Sequence, residues 1–159
     1  MIKINKVLLD QVTQEARSSD RKRKNYNFHT EFSDPMNRML NAFEPGTYLC
    51  PHKHENPDKR EVFLLLKGRI AVVFYDDEGA ITGHVILDPK EESYGVEIEP
   101  GVWHSIIALE TGSVIYELKD GPYSPTDDKH FAAWAPKEGD PGALEYIEKI
   151  LAELNTRTL

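Results

Sequence analysis

Gly46-Thr47-Tyr48-Leu49-Cys50-Pro51-His52-Lys53-His54 sets two imidazoles two positions apart at the end of a stretch that reads as a β-strand. Alternate strand residues share a face, about 6.6–7 Å apart along the backbone. Both rings can therefore reach one ion, at about 2.0–2.1 Å in the zinc case. A lone His-x-His is usually a surface pair or a coincidence, so the neighbouring residues matter. Glu61 opens the next apolar run after a polar turn containing Pro57 and Asp58, and an antiparallel return carries its carboxylate across the sheet. His104 follows Pro100-Gly101-Val102-Trp103 and begins another inward-facing strand. Six residues separate His54 from Glu61, which leaves Glu55 and Asp58 as competing carboxylates. Tyr48 and Cys50 share strand parity with the two histidines and are expected to pack behind them.

Outward from this stretch, short apolar runs alternate with turn residues. Residues 39–43 end at Pro45-Gly46, 62–66 at Gly68, 70–75 at Asp76-Asp77-Glu78-Gly79, and 81–87 at Asp88-Pro89. Residues 96–98, 106–109 and 114–118 end likewise at Pro100-Gly101, Thr111-Gly112 and Asp120-Gly121-Pro122. Strands at about 8–12 residue spacing with Gly or Pro between them indicate an antiparallel sandwich or barrel. Ile4, Val7, Leu8, Val12 and Ala16 recur at helical spacing over residues 4–18, as do Leu144, Ile147, Ile150, Leu151 and Leu154 over 142–155. Residues 19–37 read as polar and irregular, and residues 121–142 as an ordered, Pro-rich wrapping loop. One domain is expected, with an N-terminal helix and extension (1–37), a β-barrel core (38–120), and a wrapping loop with a C-terminal helix (121–159).

The chain has 159 residues, enough to bury a core without disulfides. Its single cysteine, Cys50, cannot form an internal bridge, and the absence of an apolar leader or a span of ~20 apolar residues points to a cytoplasmic protein away from membranes. A net charge of −8 disfavours general nucleic-acid binding, which needs a basic surface. The run Arg21-Lys22-Arg23-Lys24 is either a solvated stretch or a local anion site. No Gly-x-Ser-x-Gly elbow and neither phosphate-binding glycine motif is present. Exposed sheet edges beside an N-terminal extension suggest a homodimer.

Gly46-x5-His52-x-His54, Glu61-x6-Gly68 and Gly101-x2-His104 resemble the two motifs of the cupin superfamily. The resemblance implies a jelly-roll (double-stranded β-helix) fold in which His52, His54, Glu61 and His104 hold one divalent metal. Ser93, Glu99 and Ala108 stand where the superfamily pattern has glycine, proline and asparagine, which touches turn geometry more than the ligands. Asn25-Tyr26-Asn27-Phe28-His29, Pro57-Asp58-Lys59, Gly121-Pro122-Tyr123, Asp128-Lys129 and Trp134-Ala135-Pro136 further resemble the WbuC-type cupin metalloproteins. That family is associated with bacterial surface-polysaccharide gene clusters.

Three imidazoles and a carboxylate suit iron, zinc, manganese, nickel or copper alike. The reading points first to a metal-dependent isomerase or epimerase acting on a small-molecule ligand, a sugar or sugar nucleotide. The alternatives are an iron-dependent oxygenase and a non-catalytic metal- or ligand-binding protein. Tyr48, Glu117 and Lys129 are the catalytic candidates, with strand parity leaving Glu117 and Tyr116 to compete for the inward position. Asn27, His29, Arg38 and Tyr123 are the candidates for binding the ligand.

Overall fold

The computed structural model describes residues 1–126 and 128–156; the last three residues of the 121–159 segment lie outside this range. Helix α1 (Lys6–Arg17) starts where the Asn5 side chain accepts from the Leu8 N–H at 3.1 Å, which satisfies one of the free donors of the first turn. Ten strands follow: β1 (Arg23–Asn27), β2 (Met36–Phe43), β3 (His52–Lys53), β4 (Glu61–Lys67), β5 (Ile70–Tyr75), β6 (Ile81–Leu87), β7 (Gly95–Ile98), β8 (Trp103–Ala108), β9 (Ser113–Asp120) and β10 (His130–Phe131). Helix α2 (Ala143–Glu153) closes the described chain. Among the described residues no helix is long and apolar enough to cross a membrane.

The strands form two five-stranded antiparallel sheets, ordered β1-β2-β9-β4-β7 and β10-β3-β8-β5-β6. The fold is thus mainly β with a helix near each end. The expected barrel, however, is not closed. Closure requires hydrogen bonds between the edge strands of the two sheets, and β1, β7, β10 and β6 remain edges among the described residues. Two further expectations change. Residues 23–27 of the supposedly irregular stretch are strand β1, and the wrapping loop contains β10. Arg-Lys-Asn-Tyr-Asn carries no apolar alternation; pairing with β2, rather than its own side chains, makes it a strand.

Burial explains the strand texture. Phe43, Phe63, Leu65, Ile70, Val72, Ile106 and Ile115 fill the space between the sheets. On the outer face of the first sheet, α1 sets Val12 and Ala16 against Leu40, Ala42 and Val114. On the outer face of the second, α2 sets Ile147, Ile150 and Leu151 against Ala71, Val73 and Ile107. Strand β5 is therefore apolar on both faces and reads as a continuous run. Strand β4 has no helix behind it and alternates buried Phe63 and Leu65 with exposed Leu64 and Leu66.

Along the inner face the chemistry changes from one end to the other. On β9 the inward residues run Ile115, Glu117, Lys119; on β4, Leu65, Phe63, Glu61; on β8, Ala108, Ile106, His104. The apolar half is core, and the polar half opens into a cavity of about 640 Å³. Gly46, Gly68 and Gly101, the motif glycines, have φ of +82°, +81° and +77°, a region costly for any residue with a Cβ. At Gly68 a Cβ would also stand 2.4 Å from the Ser113 hydroxyl oxygen and 2.6 Å from its Cα.

Candidate metal centre

His52, His54 and His104 come from the β3–β8 side of the molecule, and Glu61 reaches them from β4 in the opposite sheet. His52 and His104 are cross-strand partners, with ring centroids 4.5 Å apart. One donor atom from each of the four residues lies within 4.8 Å of every other. All four are buried, at 4, 2, 2 and 1% exposure in chain order. The competing carboxylates are elsewhere: Glu55 is ion-paired with Lys53 at 2.9 Å, and Asp58 is exposed.

The tautomers follow from the hydrogen bonds. Nδ1 of His52 contacts the Cys50 carbonyl at 3.1 Å, and Nδ1 of His104 contacts the Val102 carbonyl at 2.9 Å. Nδ1 of His54 contacts the Asp128 carbonyl. A carbonyl oxygen only accepts, so each Nδ1 carries the proton and each neutral ring presents its Nε2 lone pair. Two of those lone pairs meet a carboxylate. Nε2 of His54 lies 3.0 Å from Glu61 Oε1, and Nε2 of His104 lies 3.0 Å from Oε2. His54 Nε2 is buried without a hydrogen-bond partner among the described residues. Burial pushes the His52 imidazole well below its usual range, with Lys129 and His104 adding to the effect. Acceptors facing acceptors need a cation between them. The group fits a divalent metal, with a backbone carbonyl behind each imidazole fixing its orientation.

The cavity beside this group contains Glu117, Lys129, Asn27, His29 and Tyr123. Glu117, not Tyr116, faces inward; Tyr116 packs under α1 and against Phe28. The Asn41 amide donates to Glu117 Oε2. Burial, reinforced by Glu61, pushes the Glu117 carboxyl up to about 7 despite nearby Lys119 and Lys129. Lys129 makes no ion pair among the described residues. Arg38 and Tyr48 lie outside the cavity lining. On β2 the inward positions are Asn37, Met39, Asn41 and Phe43, so Arg38 shares the outward parity of Leu40 and Ala42. Tyr48 precedes β3 in non-strand backbone, and its hydroxyl donates to the Pro136 carbonyl at 2.6 Å. Of the basic run, Arg21 and Arg23 both bind Glu138 at 2.6 Å and tie β1 to the segment before α2.

Sequence reasoning did not single out Asn37 or Asn41, though their alternation with Met39 and Phe43 is a period-two signal. Asn37 is 1% exposed, and neither polar atom of its amide has a partner among the described residues. Also missed was a buried ion cluster. Lys59 Nζ lies 3.0 Å from Asp128 Oδ1, Lys119 Nζ contacts Oδ2, and all three residues are buried.

Comparison with solved structures gives a fold. The chain is similar to an L-ribose isomerase from Cellulomonas parahominis (15% identity, 74% of this chain, 72% of that one, TM-score 0.55). It is also similar to the capsular polysaccharide assembling protein CapF from Staphylococcus aureus (21% identity, 71% of this chain, TM-score 0.55), of which it spans only 32%. KdgF from Halomonas sp. matches at 16% identity, over 65% of this chain and 83% of that one, with a TM-score of 0.50. Such identities show shared architecture, that of the cupin-fold proteins, and no common activity. No curated protein matches the sequence. A family model described as "Domain of unknown function (DUF6016)" matches residues 4–87, more than half of the chain. The chain therefore belongs to the DUF6016 family and carries a cupin-like pair of antiparallel sheets around a His-His-Glu-His group.

Proposed function

We propose that the protein binds one divalent metal ion through His52, His54, Glu61 and His104 and uses it to isomerise or epimerise a small hydroxylated carbonyl compound of the sugar class. The observation that carries the reading is the set of three carbonyl-tethered imidazoles grouped with a buried carboxylate, two of them, His54 and His104, presenting Nε2 to it at 3.0 Å. A bound divalent ion would polarise a carbonyl or hydroxyl oxygen of the ligand. The protein's own groups supply the rest. Glu117, held by Asn41 in the cavity, titrates near neutrality and suits proton transfer. Its carboxylate takes the proton from the hydroxyl-bearing carbon next to the carbonyl, and the resulting acid returns that proton to the former carbonyl carbon while the hydroxyl proton passes to the former carbonyl oxygen, which completes an isomerisation. Asn27, Asn37 and Tyr123 offer hydrogen bonds for hydroxyls, and the Lys129 ammonium favours an anionic substituent such as a carboxylate or phosphate.

The resemblance to WbuC-type cupins and the sugar names of two fold relatives agree with this substrate class. The test has two arms. Elemental analysis should find about one metal ion per chain, lost in the folded His52→Ala/His54→Ala double variant. In deuterium oxide, incubation with aldoses, uronic acids and sugar nucleotides should exchange the carbon-bound proton next to the carbonyl of one class, and Glu117→Gln should abolish that exchange. A double variant that keeps a full metal complement contradicts the assignment. Metal binding without exchange on any of these compounds leaves a binding protein rather than an isomerase.

A further inference from the structure

Asp128 is a buried carboxylate gripped by two buried ammonium groups, and its own backbone carbonyl is the acceptor for the metal-side histidine, His54. Lys59 Nζ contacts Oδ1 at 3.0 Å and also donates to the Pro122 carbonyl, while Lys119 Nζ holds Oδ2. Lys59, Lys119 and Asp128 are 2, 4 and 3% exposed. The segment they pin continues as β10, where His130 and Phe131 pair with Lys53 and His52. It is stitched further by Tyr123 N–H to the Phe32 carbonyl at 2.8 Å and Ala132 N–H to the Pro51 carbonyl at 2.9 Å. Tyr123, Lys129 and Phe131 of this segment all line the cavity.

A buried ion cluster of this kind is a poor way to gain stability, since desolvation offsets most of the attraction. It is a good way to fix a geometry. An imidazole ligand's direction is set by what its other nitrogen donates to. For His52 and His104 that acceptor lies two residues away on the same stretch of chain, whereas for His54 it is 74 residues away. The direction of His54 is thus set by a carbonyl from a distant segment of the chain.

We infer that Asp128, clamped by Lys59 and Lys119, is a positioning residue for His54, and that seating of residues 121–126 and 128–131 over the cavity and metal loading are one coupled event. The inference rests on the metal reading above. Coupling is reciprocal: the ion holds the segment closed, and the closed segment raises affinity for the ion. The ion therefore loads before the ligand, because Tyr123, Lys129 and Phe131 reach their cavity positions on the same segment.

The experiment uses the full chain with cobalt(II) as the probe, measuring affinity by chelator competition, the visible ligand-field spectrum, and amide hydrogen exchange. In the wild type, cobalt should slow exchange at the Tyr123, Asp128 and Ala132 amides tenfold or more, while β9 amides change little. Lys59→Met, which keeps the Asp128–Lys119 pair, should weaken cobalt binding by about 10–100-fold, the usual effect of losing an outer-shell partner. It should also alter the ligand-field bands, and Lys59→Arg should restore both. Exchange of the segment that is indifferent to cobalt overturns the inference, and needs no variant to fold. So does a Lys59→Met protein with faster segment exchange but wild-type affinity and spectrum; the metal reading survives either result. A wild-type chain that binds no cobalt removes the metal reading itself.

Discussion

Replacing Glu61 by glutamine keeps the shape of the side chain and removes its charge, and the sign of the outcome depends on the metal. Glu61 is 2% exposed, with both oxygens 3.0 Å from imidazole nitrogens whose protons are on the far side of the ring. With the imidazoles in the tautomers set by their Nδ1–carbonyl contacts, the metal-free carboxylate is a buried charge without a donor, and such a charge costs several kcal/mol. In EDTA the glutamine variant should therefore be at least as stable as the wild type, because the amide is neutral and gives one imidazole a donor. With metal the order reverses. At a free metal concentration of 100 times Kd, binding adds about 2.7 kcal/mol to wild-type stability. For a chain of 159 residues that corresponds to a rise in Tm of about 5–11 °C. If the variant binds about 100-fold more weakly, the same solution is near its Kd and adds only about 0.4 kcal/mol, a rise of about 1–2 °C. Thermal melts at pH 8 with EDTA or with added zinc, nickel or manganese make the comparison. A variant that retains the full metal-induced shift refutes the ligand role. One destabilised by 3 kcal/mol or more in EDTA shows Glu61 to be a structural ion-pair partner of charged histidines.

Asn37→Leu removes a buried amide with no partner among the described residues, so denaturant unfolding should show a loss below about 1 kcal/mol or a gain, while ligand binding weakens; a large loss of stability would show a hidden partner. Gly68→Ala should cost at least about 2 kcal/mol, from the left-handed backbone and the clash with Ser113, and a neutral result would contradict the β4–β5 turn geometry. In metal-free protein the Glu117 carboxyl, followed by carbon-13 NMR, should titrate near 7 rather than near 4.3. A folded-state value raised in this way favours the protonated native state. The contribution to stability is thus full below the unfolded value and is lost as pH rises toward 7. Glu117→Gln should flatten that fall, and a titration near 4.3 would remove Glu117 as the proton-transfer group.

The local patterns were legible. Strands β5 and β6 coincide with the runs 70–75 and 81–87 because Asp76 to Gly79 forms an unambiguous turn and both runs end at Gly or Pro. The four clustered residues were legible because a period of two and a tight Pro-Gly turn are local signals. What failed was long-range. Parity could not exclude Tyr48, since only His52 and Lys53 of that stretch are strand, and the chain before them follows no two-residue period. Arg38 faces outward because the inner face of β2 is taken by Asn37, Met39, Asn41 and Phe43, and the sequence of β2 alone does not say which face is inner. Lys59, Lys119 and Asp128 were not singled out as a group, because residues 69 positions apart, as Lys59 and Asp128 are, leave no trace of their pairing in the local pattern. The barrel stayed open for a related reason: whether edge strands meet is decided by the two sheets together.

The account stands on one cation between the two sheets, and anomalous diffraction from a crystal equilibrated with zinc or nickel examines that most directly. The account predicts a single strong peak enclosed by Nε2 of His52, His54 and His104 and a carboxylate oxygen of Glu61. Crystals whose only peaks lie on surface residues such as His84 or His130, with nothing among those four side chains, would contradict it.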